Sequence, residues 1–104
     1  LYSGALLEAG YIEMITKDAV RAPMLGKDTD YGLGVIIRKT KVGTLWGHDG
    51  TFPGYTSTLG HFPKHGITAA FMFNSDGGQA LAGPPYDVIV DLVEIVVQEL
   101  GAEE

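Results

Sequence analysis

The sequence predicts an α+β fold, an antiparallel sheet of four or more strands with a C-terminal helix packed on one face. Three features of the 104-residue chain carry that expectation. Four short runs rich in β-branched and aromatic residues, Tyr31 to Lys39, Val42 to His48, Tyr55 to Phe62 and Ile67 to Asn74, are separated by turn residues. Their links are too short for crossovers, which makes neighbouring strands antiparallel. After Tyr86, Val88, Ile89, Leu92, Val93, Val96 and Leu100 repeat at helical spacing, with Asp87, Asp91, Glu94 and Gln98 on the opposite side.

Taken in order, the first element is a short helix over Leu6 to Ile15, where Leu7, Tyr11, Ile12 and Ile15 share a face interrupted by Gly10. From Thr16 to Asp30 the apolar signal fades around Pro23 and Gly26, so a surface connection is expected. In the first strand Tyr31, Leu33, Val35 and Ile37 fall on one face. In the last, Ile67, Ala69, Phe71 and Phe73 oppose Thr68, Ala70 and Met72. Apolar residues on both faces predict a sheet covered on both sides. Asn74-Ser75-Asp76-Gly77 reads as a turn, and Gly77-Gly78-Gln79-Ala80 as a loose link to the final helix. Pro84 and Pro85 suit that helix's first turn, and Gly101 suits its stop. The helix can cover one sheet face, with the first helix contributing. The other face calls for a missing lobe, another chain or self-association, because a large bare apolar patch is rarely left in water.

Composition excludes several classes. A 104-residue chain forms one domain with a thin core. At 45% hydrophobic and 19% charged residues it is too apolar and too weakly charged to be disordered. The net charge of -6 belongs to the tail, since acids and bases balance through Tyr86 and only acids follow. No cluster of Lys and Arg offers itself to a phosphate backbone or an anionic membrane, so no nucleic-acid partner is expected. The absence of cysteine removes disulfides, thiolate metal sites and a cysteine nucleophile together. No stretch reaches the length of a membrane span.

The residues with most chemistry are Gly47-His48-Asp49-Gly50, at a strand end and ahead of Thr51-Phe52-Pro53-Gly54. An imidazole donor, one intervening residue and a glycine suit a substrate laid along a sheet edge, because the glycine removes the side chain that would block it. An adjacent backbone N–H can face a developing oxyanion. The same residues also read as a polar strand end leading into a glycine turn. His48, His61 and His65 with Asp49 do not predict a metal site, since Pro63 and Gly66 prevent a helical pair of histidines. Ser57 lacks the spacing of a nucleophile elbow and reads as structural. Trp46 shares a strand face with His48 and is a candidate to line a cleft.

The ordered set Tyr31-Gly32-Leu33-Gly34, Gly47-His48-Asp49-Gly50, Pro53-Gly54-Tyr55, a strand closing on Asn74 and a final helix resembles the C-terminal part of the serine β-lactamase and penicillin-binding-protein family. Within that family it looks like the class C group with its D,D-carboxypeptidases, D-aminopeptidases and esterases. Residues 1 to 14, with Ser3-Gly4-Ala5-Leu6-Leu7, are similar to the segment before that sheet. The resemblance implies that residues 1–104 are the closing portion of a β-lactamase-like α/β sandwich. It implies a serine acyl hydrolase working through an acyl-enzyme, without a cofactor, in the bacterial periplasm or outside the cell. It places His48, Asp49 and Gly50 at the family's third motif, K-T-G or H-x-G, and Thr51 as one backbone donor of the oxyanion hole.

The nucleophile-bearing S-x-x-K and the Tyr-x-Asn motif have no counterpart in the chain, so this chain alone is expected to be inactive. The missing N-terminal part of a parent protein, or another chain, is the expected partner at the open sheet face, and the substrate is a small molecule or peptide. Histidine in place of lysine supplies less positive charge at neutral pH, because free imidazole titrates near about 6.5. An acid at Asp49, if it faced the cleft, would repel a carboxylate and favour an amine or neutral ester, which points to a peptidase or esterase over a true lactamase. Strand alternation could instead turn Asp49 away. The rival expectation is a non-catalytic β-lactamase-like module that uses the open face to bind or assemble.

Overall fold

The computed structural model describes residue 6, residues 8–75 and residues 83–103. Helix α1 (Ala9–Lys17) leads into strand β1 (Val20–Arg21), a 3-10 turn at Pro23–Leu25, and strands β2 (Thr29–Tyr31), β3 (Ile36–Thr40), β4 (Gly43–Phe52), β5 (Tyr55–Phe62) and β6 (Ile67–Phe73). Helix α2 (Tyr86–Glu103) closes the chain. The strands form one antiparallel sheet in sequence order, β1-β2-β3-β4-β5-β6. The α+β expectation therefore holds, with six strands where the sequence indicated at least four.

Short hairpins set the register. Thr40 pairs with Gly43 across Lys41-Val42, and Phe52 pairs with Tyr55 across Pro53-Gly54. Proline fixes its own φ near −65° and Gly54 takes φ 88°, the combination a type II turn requires. The expected strand from Tyr31 to Lys39 is broken. Gly32 N–H donates to the Val35 carbonyl at 2.8 Å and Gly34 has φ 71°, so residues 32–35 turn the chain and split the run into β2 and β3. β4 runs on to Phe52, four residues beyond the expected end at His48.

The core lies between α2 and one face of the sheet. Phe62 and Ile89 are fully enclosed, and Leu45, Val90 and Val93 complete the cluster. Gly60 makes this approach possible. A Cβ there would stand 1.9 Å from Leu45 Cδ1 and 2.9 Å from Ile89 Cδ1. α2 is rotated from the stripe predicted by spacing: Ile89, Val90 and Val93 face the sheet, while Leu92, Val96 and Leu100 are exposed. The helix also passes through Gly101 to Glu103, because a glycine near a helix end weakens the helix by only about 1 kcal/mol. α1 does not lie across the sheet. Its Ile15 carbonyl receives the Leu33 N–H at 3.0 Å, so the helix end abuts the β2–β3 turn.

The second face carries Thr44, Trp46, His48, Gly50 and Phe52 of β4 beside Tyr55, Ser57, Leu59 and His61 of β5. Phe52, Tyr55, Leu59 and Met72 are exposed there, and among the described residues no element covers them. The link at residues 77–80 and the Ser3–Leu7 resemblance fall largely outside the described residues. No described helix is long and apolar enough to cross a membrane.

Candidate active site

β4 outruns its neighbour. β3 pairs with it only from Gly43 to Gly47, whereas β5 accompanies it from Trp46 to Phe52. From His48 to Phe52 the β3-side edge of β4 thus has no strand beside it among the described residues. The two-residue hairpin makes Phe52 and Tyr55 a closing hydrogen-bonded pair, and strand alternation then directs the main-chain groups of His48 and Gly50 toward β5. By the same alternation Asp49 and Thr51 direct N–H and C=O toward the bare edge. The hairpin closed by Thr40 and Gly43 gives the same parity independently.

His48 stands on the open face opposite Leu59 and is exposed. Its Nδ1 lies 2.6 Å from the Asp49 carbonyl oxygen, and its Nε2 lies 3.1 Å from the Tyr31 hydroxyl. Gly50, two residues along the same face, sits beside Ser57, whose Oγ would be 2.8 Å from an added Cβ. Gly50, Phe52, Tyr55, Ser57 and Met72 line a shallow depression of about 210 Å³. Ser57 therefore flanks the site.

The Asp49 side chain projects to the other face, as period-two alternation demands. Oδ2 accepts from Arg38 Nη2 at 2.8 Å and Oδ1 accepts from the Thr58 hydroxyl at 2.8 Å. Arg38, with a side chain only 5% exposed, also donates to the Leu25 carbonyl at 3.2 Å and stacks 3.9 Å from the Tyr86 ring centre. Repulsion of a substrate carboxylate by Asp49 thus has no geometric basis: the acid is turned from His48 and neutralised. It works instead as a brace, tying β4 to β3 and β5 at the point where β4 loses its neighbour strand.

Thr51 is exposed at the bare edge, and Trp46 is half-buried on the His48 face. His61 meets the Thr68 hydroxyl at 2.8 Å and His65 meets the Val42 carbonyl at 2.9 Å. Among the described residues no group of His, Asp or Glu gathers as a metal site would require. Tyr31 and Arg38 were missed by the sequence reading. Tyr31 was placed on a strand face with Leu33, Val35 and Ile37, though Gly32 and Gly34 after it were a signal of a turn that could aim a side chain. Arg38, alternating with Ile36 as a charged residue on a buried face, was a signal that a carboxylate had to lie nearby.

The antiparallel sheet backed by a C-terminal helix matches, by the comparisons that follow, a β-lactamase-like α+β fold of the serine-hydrolase kind. The chain belongs to the β-lactamase family, whose family model, described as Beta-lactamase, matches residues 3–93. A solved structure of a D-stereospecific amidohydrolase from Streptomyces sp. is similar, with 30% identity, a TM-score of 0.62 and coverage of 72% of this chain. The match spans 22% of that protein's chain. Among curated proteins none matches the chain.

Proposed function

We propose that this chain is the C-terminal portion of a serine acyl hydrolase that cleaves amides or esters through an acyl-enzyme. Its role is to supply the strand that binds the substrate. The observation that carries the reading is the bare edge of β4 from His48 to Phe52, with the Thr51 N–H directed along it. Such an edge offers main-chain hydrogen bonds to an extended acyl group, and a fixed backbone donor stabilises charge on a carbonyl oxygen as a nucleophile adds. Gly50 keeps the strand narrow where the substrate would lie, and His48 borders it. Asp49 serves from behind through Arg38 and Thr58. The family membership and the amidohydrolase similarity support acyl transfer, and amide cleavage in particular.

The nucleophile and its base belong, on this reading, to the longer parent, which packs over the exposed Phe52, Tyr55, Leu59 and Met72. Acylation by a labelled fluorophosphonate tests it. The parent takes up label on a serine outside residues 1–104, this chain takes up none, and Thr51→Pro in the parent, which removes the proposed donor, abolishes turnover. A parent with an intact fold that neither labels nor hydrolyses esters and amides is instead a binding module built on the same sheet.

A further inference from the structure

His48 is held at both ring nitrogens by its own chain. The Asp49 carbonyl oxygen beside Nδ1 can only accept, so Nδ1 carries a proton. In the neutral ring Nε2 is then an acceptor, and the Tyr31 hydroxyl donates to it at 3.1 Å. The two rings meet edge to face, with centroids 5.9 Å apart and planes at 76°, so the contact is packed as well as bonded. Tyr31 is itself fixed. It ends β2, paired with Val20 on one side and Ile36 on the other. The next residue, Gly32, is pressed so close to the Ile15 carbonyl that a Cβ would stand 2.1 Å from its oxygen. The end of α1 thereby anchors the turn from which the phenol reaches His48.

We infer that Tyr31 is a positioning and specificity residue: by occupying Nε2 while the Asp49 carbonyl occupies Nδ1–H, it leaves neutral His48 no free ring N–H. The rim therefore disfavours acyl donors bearing a carboxylate beside the reacting carbonyl and accepts uncharged esters and amides. A carboxylate needs a hydrogen-bond donor, and here it would meet a lone pair already shared with a phenol. This deepens the acyl-hydrolase reading and rests on it for its substrate consequence.

Nitrogen-15 NMR of the histidine rings in the parent protein is the decisive test, with His48 assigned by difference from His48→Gln. Wild type with its ring neutral shows protonated Nδ1 and unprotonated Nε2, and beyond the assignment this measurement needs no variant at Tyr31. Tyr31→Phe, which keeps the ring contact and deletes the hydroxyl, moves the Nε2 resonance. Protonated Nε2 in wild type, or an unmoved resonance in a folded Tyr31→Phe, overturns the inference. In kinetics, Tyr31→Phe frees the Nε2 lone pair to take a proton and donate to a carboxylate, so the ratio of kcat/KM for a carboxylate-bearing cephalosporin to that for p-nitrophenyl acetate rises roughly five- to tenfold, the scale of one hydrogen bond. A ratio constant within about twofold contradicts the selectivity. Fluorophosphonate labelling reports separately on the underlying reading. A parent that takes up no label removes the reading and the selectivity with it, while the ring nitrogens still decide whether Tyr31 occupies Nε2.

Discussion

The two faces of this sheet are made by the same strands and have opposite fates. On one, Leu45, Phe62 and Gly60 receive Ile89 and Val93 of α2, and the charged pair Arg38–Asp49 is enclosed with Thr58 and Tyr86. On the other, one residue out of phase, His48, Phe52, Tyr55, Leu59 and Met72 are exposed, with no element laid over them among the described residues. His48 and Asp49 are neighbours in sequence, yet one borders the candidate cleft and the other braces the strand from behind. Alternation divides the labour: the covered face fixes the geometry, and the open face presents it.

Substitutions on the two faces separate these roles. The largest stability effect is expected from Phe62→Ala, about 3–5 kcal/mol in urea denaturation, because a fully enclosed ring is replaced by a cavity. Phe52→Ala, a change of the same chemistry on the open face, costs this chain no more than about 0.5 kcal/mol. Equal costs would break the comparison. Next is Asp49→Ala, expected to cost about 3 kcal/mol, since it strands the Arg38 guanidinium in an enclosed site. Asp49→Ala also lowers turnover in the parent by loosening β4, whereas His48→Gln leaves stability within about 0.5 kcal/mol and lowers kcat/KM roughly tenfold. Paired denaturation and kinetic measurements on the parent check both.

The smallest effects come from titration. Burial lowers the His61 pKa below its ordinary 6.5. The folded state then holds its proton less tightly than the unfolded one, so this contribution to stability is complete above pH 6.5 and is lost as pH falls below it through the depressed value. His61→Gln should flatten that part of the stability profile. Lys41 has the opposite sign. Hydrogen bonds to Asp91 and Glu94, at 2.8 and 2.6 Å, raise its pKa, so its small contribution is present below the free-lysine range and disappears as pH rises beyond it. Salt should weaken it, because both partners are accessible to water.

Much of the fold could be read in the sequence. The β5 boundaries, the Pro53-Gly54 turn and the final helix are marked by local chemistry: alternation, a proline with a following glycine, and helical spacing. In β6 the packed parity, Ile67, Ala69 and Phe71, was legible too, while Met72 of the other parity is exposed. What could not be read depended on contacts distant in the chain. The break at residues 32–35 rests on the Gly32–Val35 hydrogen bond and the abutting α1, and neither leaves a periodic signal. The rotation of α2 is set by the groove over Gly60, which exists only once β4, β5 and the helix have met. In the candidate site, the motif His48-Asp49-Gly50 was legible as a motif. Its split across two faces needed the true length of β4, and the Tyr31 contact joins residues brought together only by the order β2-β3-β4.

The central claim, that the His48 face is half of a cleft completed by further protein, is tested most directly by methionine oxidation followed by mass spectrometry in the parent and in this chain. Met72 is 73% exposed here, on the open face, and Met24 is 87% exposed away from it. Peroxide should oxidise Met72 about tenfold more slowly in the parent than in this chain, with Met24 as the within-molecule reference. Met72 oxidised in the parent as fast as in this chain would mean that the face stays bare, and the half-site account would be contradicted.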